Sequence, residues 1–98
     1  MGIDKFYHPE RATYIGKFRL LVEFENGELK IVDFKSWLKR DLKSYNDLKN
    51  EEIFKKFYIE DGIITWNNGY DISPEFVYEN GKPIIFHLEN NYSKQIEV

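Results

Sequence analysis

The chain has 98 residues, of which 42 % are hydrophobic and 32 % charged, and its formal net charge at pH 7 is −3. This composition is that of one folded domain over residues 1–98 and excludes a disordered chain. Because there is no cysteine, disulfides, thiolate catalysis and thiolate metal sites are excluded. The lack of disulfides in a small domain favours a reducing cytoplasm, and no apolar run is long enough to span a membrane.

A β-hairpin is predicted over residues 18–34. Its first strand alternates apolar and other residues, which is the period of a half-buried strand, and Asn26-Gly27 favours a tight primed turn. Residues 10–15 form a candidate strand before it. The alternation predicts one buried face made of four side chains: Phe18, Leu20, Val22 and Phe24.

The period changes to that of a short amphipathic helix over residues 33–45. Leu38 and Leu42 are four residues apart, with Trp37 beside them, and Asp33 or Ser36 can cap the N-terminus. The outer face is predicted to be a basic stripe of four residues: Lys35, Lys39, Arg40 and Lys43. Asn50 then caps a second helix over residues 50–57.

The sequence from residue 57 onward contains many residues that are typical of turns and helix ends. Asp61-Gly62 lies in a second predicted hairpin over residues 57–66, and residues 67–69 form a turn. Ser73, followed by proline, is a typical helix start. Gly81 ends that helix, in the left-handed conformation usual there. We therefore expect an α+β fold, with an antiparallel sheet of hairpins and two or three short helices packed mainly on one face.

The tail over residues 82–98 contains one apolar run, and we expect residues 84–88 to form an edge strand. Such a strand either closes the edge of its own sheet or pairs with a second copy in a symmetric dimer. Ile84 and Phe86 are the candidate partner contacts in this strand.

Three stretches together resemble the small bacterial domains called domain of unknown function 2442. They are "FRLLVEFENGELKIVDF" (18–34), "LKNEEIFKKFYIEDGIITW" (48–66) and "NNGYDISPEFVYEN" (67–80). The resemblance covers residues from about 10 to 80 and leaves 82–98 as an extension. It implies a compact α+β domain that carries over no catalytic residue, and an association with toxin-like neighbours in bacterial operons.

Few residues indicate a metal site or a catalytic role. His8 and His87 could form a metal site with Glu10 or Glu89 if the terminal strands pair, but no metal-ligand spacing supports this over two surface histidines. Ser73 is a helix cap rather than a nucleophile, because no nucleophile elbow surrounds it. The sequence thus predicts no catalytic residue, no metal and no cofactor.

Two binding functions follow, and an enzyme of unspecified class is a third alternative. The first is a non-catalytic protein-interaction module with an antitoxin-like or regulatory role, for which Trp37 and Tyr78 are expected to be partly exposed anchors. The second is a nucleic-acid-associated protein that uses the basic helix, with Trp37 or Tyr45 for stacking. Salt-dependent binding of DNA or RNA separates the two.

Overall fold

The computed structural model describes residues 6–39, 43–67 and 69–84. Within them the chain forms two antiparallel sheets and three short α-helices, so the predicted α+β class is confirmed. The first sheet has the order β1-β2-β3-β7 and the second β4-β5-β6. The strands are β1 Pro9–Tyr14, β2 Arg19–Phe24, β3 Leu29–Asp33, β4 Tyr58–Glu60, β5 Ile63–Thr65, β6 Asp71–Ile72 and β7 Lys82–Pro83. The helices are α1 Lys35–Leu38, a 3₁₀ helix Lys43–Lys49, α2 Glu51–Phe54 and α3 Pro74–Asn80. None of the helices described is long and apolar enough to cross a membrane.

The predicted hairpin over 18–34 is present, with a different turn. Leu20, Val22 and Phe24 are fully buried on one face of β2, as predicted. The loop is not a two-residue primed turn. The N–H of Gly27 donates to the carbonyl of Phe24 at 2.8 Å, and Gly27 has φ +92°. This is the three-residue loop in which a left-handed glycine follows a type I turn.

The predicted helix over 33–45 does not run as one α-helix. α1 ends at Leu38, and residues 43–49 form a 3₁₀ helix whose Leu48 is fully buried. A one-turn helix is held by tertiary packing rather than by its own propensity. The change of helix type places Leu48 in the core, which the four-residue spacing of Leu38 and Leu42 does not include. The N-cap of α1 is Phe34, which makes no side-chain cap hydrogen bond, so the prediction that Asp33 or Ser36 is the N-cap is wrong. The Asp33 carboxylate accepts a hydrogen bond from the N–H of Lys35, the first helical residue, at 2.9 Å.

Aromatic rings form the centre of the core. The ring of Phe54 lies 5.4 Å from that of Phe34 and 5.6 Å from that of Trp66. The indole N–H of Trp66 donates to the carbonyl of Phe54 at 2.7 Å, which satisfies a buried donor. Trp37 stacks on Trp66 with ring centroids 6.2 Å apart and is only 6 % exposed. The expectation that Trp37 is a partly exposed anchor is therefore wrong, since its side chain is buried in the core.

The start of α3 is as predicted and its end is not. The Ser73 hydroxyl accepts a hydrogen bond from the N–H of Phe76 at 3.3 Å, and Pro74 is the first helical residue. Gly81 has φ −78° and extended backbone, so it is not left-handed. Instead, a Cβ at Gly81 would lie 2.8 Å from Cβ of Lys30 and 3.2 Å from Cγ2 of Val32. The glycine is required because the chain passes close to β3.

The chain after α3 pairs with β3 at the edge of its own sheet. Lys82 is opposite Ile31 and Pro83 opposite Lys30. The N–H of Ile84 then donates to the carbonyl of Leu29 at 3.0 Å. The strand described, Lys82–Pro83, thus precedes the predicted range 84–88. Phe86 and His87 lie outside the described residues. The described part of the tail closes this edge, and the symmetric dimer stays a prediction.

Candidate functional site: a lysine-rimmed groove beside a left-handed turn

A surface groove of about 430 Å³ lies where the β1–β2 turn, α1 and the end of the 3₁₀ helix meet. Its apolar lining comes from Phe18 and Leu38, and its polar lining is three lysines: Lys35, Lys39 and Lys49. Leu38 is buried and Phe18 partly buried, whereas all three lysines are exposed. The groove therefore combines an apolar floor with a cationic rim.

Within the described residues, one of the three rim lysines has an ion-pair partner. The Lys35 ammonium lies 3.1 Å from the Asp33 carboxylate. Desolvation raises the pKa of Asp33, but the hydrogen bonds and charge of Lys35 outweigh it, so the net shift is downward and the carboxylate stays ionised. Among the residues that the structure describes, neither Lys39 nor Lys49 forms an ion pair. Two cations are thus available to an anionic ligand.

The turn beside the groove has an unusual backbone. Gly16, Lys17 and Phe18 have φ of +92°, +56° and +59°, and the N–H of Arg19 donates to the carbonyl of Gly16 at 3.1 Å. Positive φ at both central residues is the pattern of a primed turn, which glycine, asparagine and aspartate favour. In a lysine and a phenylalanine the left-handed conformation costs about 1 kcal/mol or more per residue.

Contacts from three elements hold this turn in place. The Tyr14 hydroxyl accepts from the N–H of Phe18 at 3.2 Å and donates to the Glu51 carboxylate. The carbonyl of Phe18 accepts from the N–H of Phe34 at 2.9 Å, and its ring meets that of Phe54 edge-on with centroids 5.1 Å apart. The Lys35 ammonium also donates to the carbonyl of Lys17 at 3.1 Å. These contacts compensate for the backbone strain and fix the Phe18 ring at the groove.

The predicted partner-binding residues do not converge on one site. Lys39 lines the groove, Trp37 is in the core, and Ile84 lines separate grooves along the β3–β7 edge. Arg40, Phe86 and the side chain of Lys43 lie outside what the structure describes. Sequence reasoning missed Lys49, which lies outside the helical stripe, and assigned Phe18 to the core because it continues the alternation of β2.

His8 and Ser73, the candidates for a metal ligand and a nucleophile, form hydrogen bonds that stabilise the fold. The backbone N–H of His8 donates to the Glu25 carboxylate at 3.0 Å, and the His8 ring nitrogen Nδ1 lies 3.5 Å from the same carboxylate. The hydrogen bond from the His8 backbone, in particular, lowers the pKa of Glu25. No group of three metal-ligating side chains is found within residues 6–39, 43–67 and 69–84. Ser73 acts as the cap described above.

Tyr78, the other predicted anchor, is tied into the fold. The Lys30 ammonium lies 3.4 Å from the centre of the Tyr78 ring and donates to the Tyr78 carbonyl at 2.6 Å. The Tyr78 hydroxyl donates to the Glu28 carboxylate, and this hydrogen bond, with burial, raises the pKa of the hydroxyl. Lys30 is only 8 % exposed. The Tyr78 ring and carbonyl stabilise its buried charge. Because Lys30 is in β3 and Tyr78 is in α3, these contacts hold the helix against the sheet.

The fold is that of a small α+β domain with a groove on its surface. The family model described as "Protein of unknown function (DUF2442)" matches residues 9–83, which include every strand and helix described above. The chain therefore belongs to the DUF2442 family. The comparison with curated proteins found no match, and neither did the comparison with solved structures.

Proposed function

We propose that this protein is a non-catalytic module that binds another protein, in an antitoxin-like or regulatory role. The observation that supports the proposal is the groove, in which an apolar floor is bordered by Lys39 and Lys49. Protein interfaces combine a desolvated apolar centre with a polar rim, and this groove has both parts. Its charge favours an acidic partner and a fast, salt-dependent association.

A nucleic-acid ligand is the second candidate, because the same lysines can neutralise phosphates. That hypothesis used Trp37 for base stacking, and the Trp37 ring is stacked on Trp66 inside the core. Lysine contacts to phosphate remain, but the described part of the site supplies no exposed tryptophan platform. The groove therefore supports the protein-binding function better.

The test compares capture by three forms of the full chain in a lysate of the source organism. One is the natural sequence, one is Lys39→Glu/Lys49→Glu, and the third is a charge-matched control, Lys56→Glu/Lys82→Glu. Lys56 and Lys82 are exposed and lie outside the groove. Each capture is repeated after nuclease digestion.

A protein retained by the natural chain and by the control, lost with the groove variant and unaffected by nuclease supports the proposal. Retention by all three forms contradicts a role for the groove. Loss after nuclease digestion assigns the lysines to nucleic acid instead.

A further inference from the structure

We infer that the groove takes an acidic segment of the partner that carries one apolar anchor side chain, and that Phe18 selects this anchor. The inference rests on the proposed function, because it names the chemistry of the partner at the same groove. It follows from the size of the groove, its charge and the backbone of the turn that presents Phe18.

The size of the groove suits side chains rather than a folded surface. The groove has a volume of about 430 Å³ and is open to solvent along its length, which leaves room for one or two side chains of a partner. A leucine or phenylalanine from a partner fits this volume and would meet the Phe18 ring and the Leu38 side chain. Such buried anchors supply most of the free energy of a typical interface.

The charge of the rim selects what surrounds the anchor. Lys39 and Lys49 have no ion-pair partner among the described residues, and the nearby carboxylate of Asp33 is held by Lys35. Glutamate or aspartate on either side of the anchor would pair with the two available ammonium groups. A phosphate backbone would also meet the lysines, but it has no apolar group to place against Leu38. The combination favours a peptide.

The turn explains why Phe18, in particular, is the selecting residue. A relaxed primed turn would carry asparagine and glycine at positions 17 and 18, and it would present no ring to the groove. This chain keeps a bulky residue at φ +59° instead, and holds it with the hydrogen bonds from Phe18 N–H to the Tyr14 hydroxyl and from Phe34 N–H to the Phe18 carbonyl. The Phe18 ring is partly buried, packs against Phe54 and also lines the groove, so the strained turn places one side chain at both the core and the groove.

The experiment measures binding of fluorescent peptides to the full chain by anisotropy. The probe is a short glutamate peptide with one central phenylalanine. Its controls are the same peptide with alanine at the centre, its lysine counterpart, and a single-stranded DNA of similar charge. Each is titrated into the natural chain, Phe18→Ala, Lys39→Glu/Lys49→Glu and the control Lys56→Glu/Lys82→Glu. All titrations are done below the temperature at which Phe18→Ala starts to unfold.

We expect the phenylalanine probe to bind the natural chain and the control about equally. Replacing the central phenylalanine by alanine should weaken binding about tenfold or more, as the loss of a buried apolar side chain implies. Phe18→Ala should weaken the phenylalanine probe by a similar factor and the alanine probe far less. The groove charge variant should weaken both.

Equal binding of the phenylalanine and alanine probes overturns the inference, as does tighter binding of the DNA. Absence of probe binding also overturns it. If the groove-dependent protein of the capture experiment is still found, the proposed function stands while the anchor chemistry fails. If neither is found, both fail.

Discussion

Two tight turns of this protein share the sign of φ and differ in chemistry. At Asp61-Gly62, φ is +54° and +77°, and both residue types accept this conformation readily. At Lys17-Phe18, φ is +56° and +59°, and neither residue type favours it. The first turn is what local preference would select for joining two strands. The second carries a cost that only its surroundings and its position beside the groove explain.

The largest expected effect concerns crowding at the relaxed turn. A Cβ at Gly62 would lie 2.8 Å from Cβ of His8, whereas a Cβ at Gly27 would have no heavy atom within 4 Å. Both glycines have positive φ, so the two substitutions share the backbone strain. We expect Gly62→Ala to lower the free energy of unfolding by about 2–3 kcal/mol and Gly27→Ala by about 1 kcal/mol. Urea unfolding followed by tryptophan fluorescence measures both. Equal losses would show that His8 moves aside freely.

The second prediction concerns a residue with a purely local role. Removing the cap hydroxyl with Ser73→Ala should cost about 1 kcal/mol of stability and leave binding of the acidic probe unchanged. Ser36→Ala is the matched control, because Ser36 is exposed and has no hydrogen bond to the start of α1. Loss of binding by Ser73→Ala in a fully folded sample would assign Ser73 a role beyond capping.

A reciprocal exchange tests the strain at the two turns. Lys17→Asn places a residue that tolerates positive φ in the strained turn, and should raise the free energy of unfolding by about 0.5–1 kcal/mol. Asp61→Lys makes the opposite change in the relaxed turn and should lower it by a similar amount. Thermal unfolding of both variants beside the natural chain measures the effect. A destabilised Lys17→Asn would mean that the turn is not strained.

The smallest expected effect is on pH dependence. Near the relaxed turn, the pKa of Glu25 is lowered, chiefly by the hydrogen bond from the His8 backbone. The stability that ionised Glu25 contributes is therefore fully present above the ordinary carboxylate pKa of about 4.3. It is lost as the pH falls through the pKa that Glu25 has in the folded protein. At the strained turn, burial, chiefly, and the hydrogen bond to Glu51 raise the pKa of Tyr14. The stability that the neutral Tyr14 hydroxyl contributes is present below about pH 10. It is lost as the pH rises through the pKa that Tyr14 has in the folded protein.

Unfolding curves measured at a series of pH values test whether the stability contributions of Glu25 and Tyr14 change with pH in opposite directions. Glu25→Gln should flatten the acid limb relative to the natural chain, and Tyr14→Phe should flatten the alkaline limb. The Glu25 effect is small because its side chain is 53 % exposed. An unchanged alkaline limb in Tyr14→Phe would separate Tyr14 from the stability of the strained turn.

Local signals made the relaxed elements predictable. The Asn50 and Ser73 caps and the Asp61-Gly62 hairpin depend on neighbours in sequence, and all three are present. The role of Gly81 was misjudged because a glycine in a sequence does not show whether φ or space requires it. Here space does, since β3 passes behind it.

The groove depends on contacts between distant parts of the chain. Phe18 continues the alternation of β2, so nothing in the pattern shows that it turns out of the strand. Lys49, at the end of the 3₁₀ helix, lines the same groove as Lys39, although the two lysines are ten residues apart in the sequence. The basic character of this region was predictable from the spacing of Lys35 and Lys39, but its apolar floor was not.

The most direct test of the contrast between the two turns is backbone NMR of the full chain during titration with the glutamate peptide that carries a central phenylalanine. We expect the largest amide shift changes at Lys17, Phe18, Lys39 and Lys49, and none at Asp61 and Gly62. Changes centred on Asp61-Gly62, or spread evenly over the surface, would contradict the assignment of binding to the strained turn and its groove.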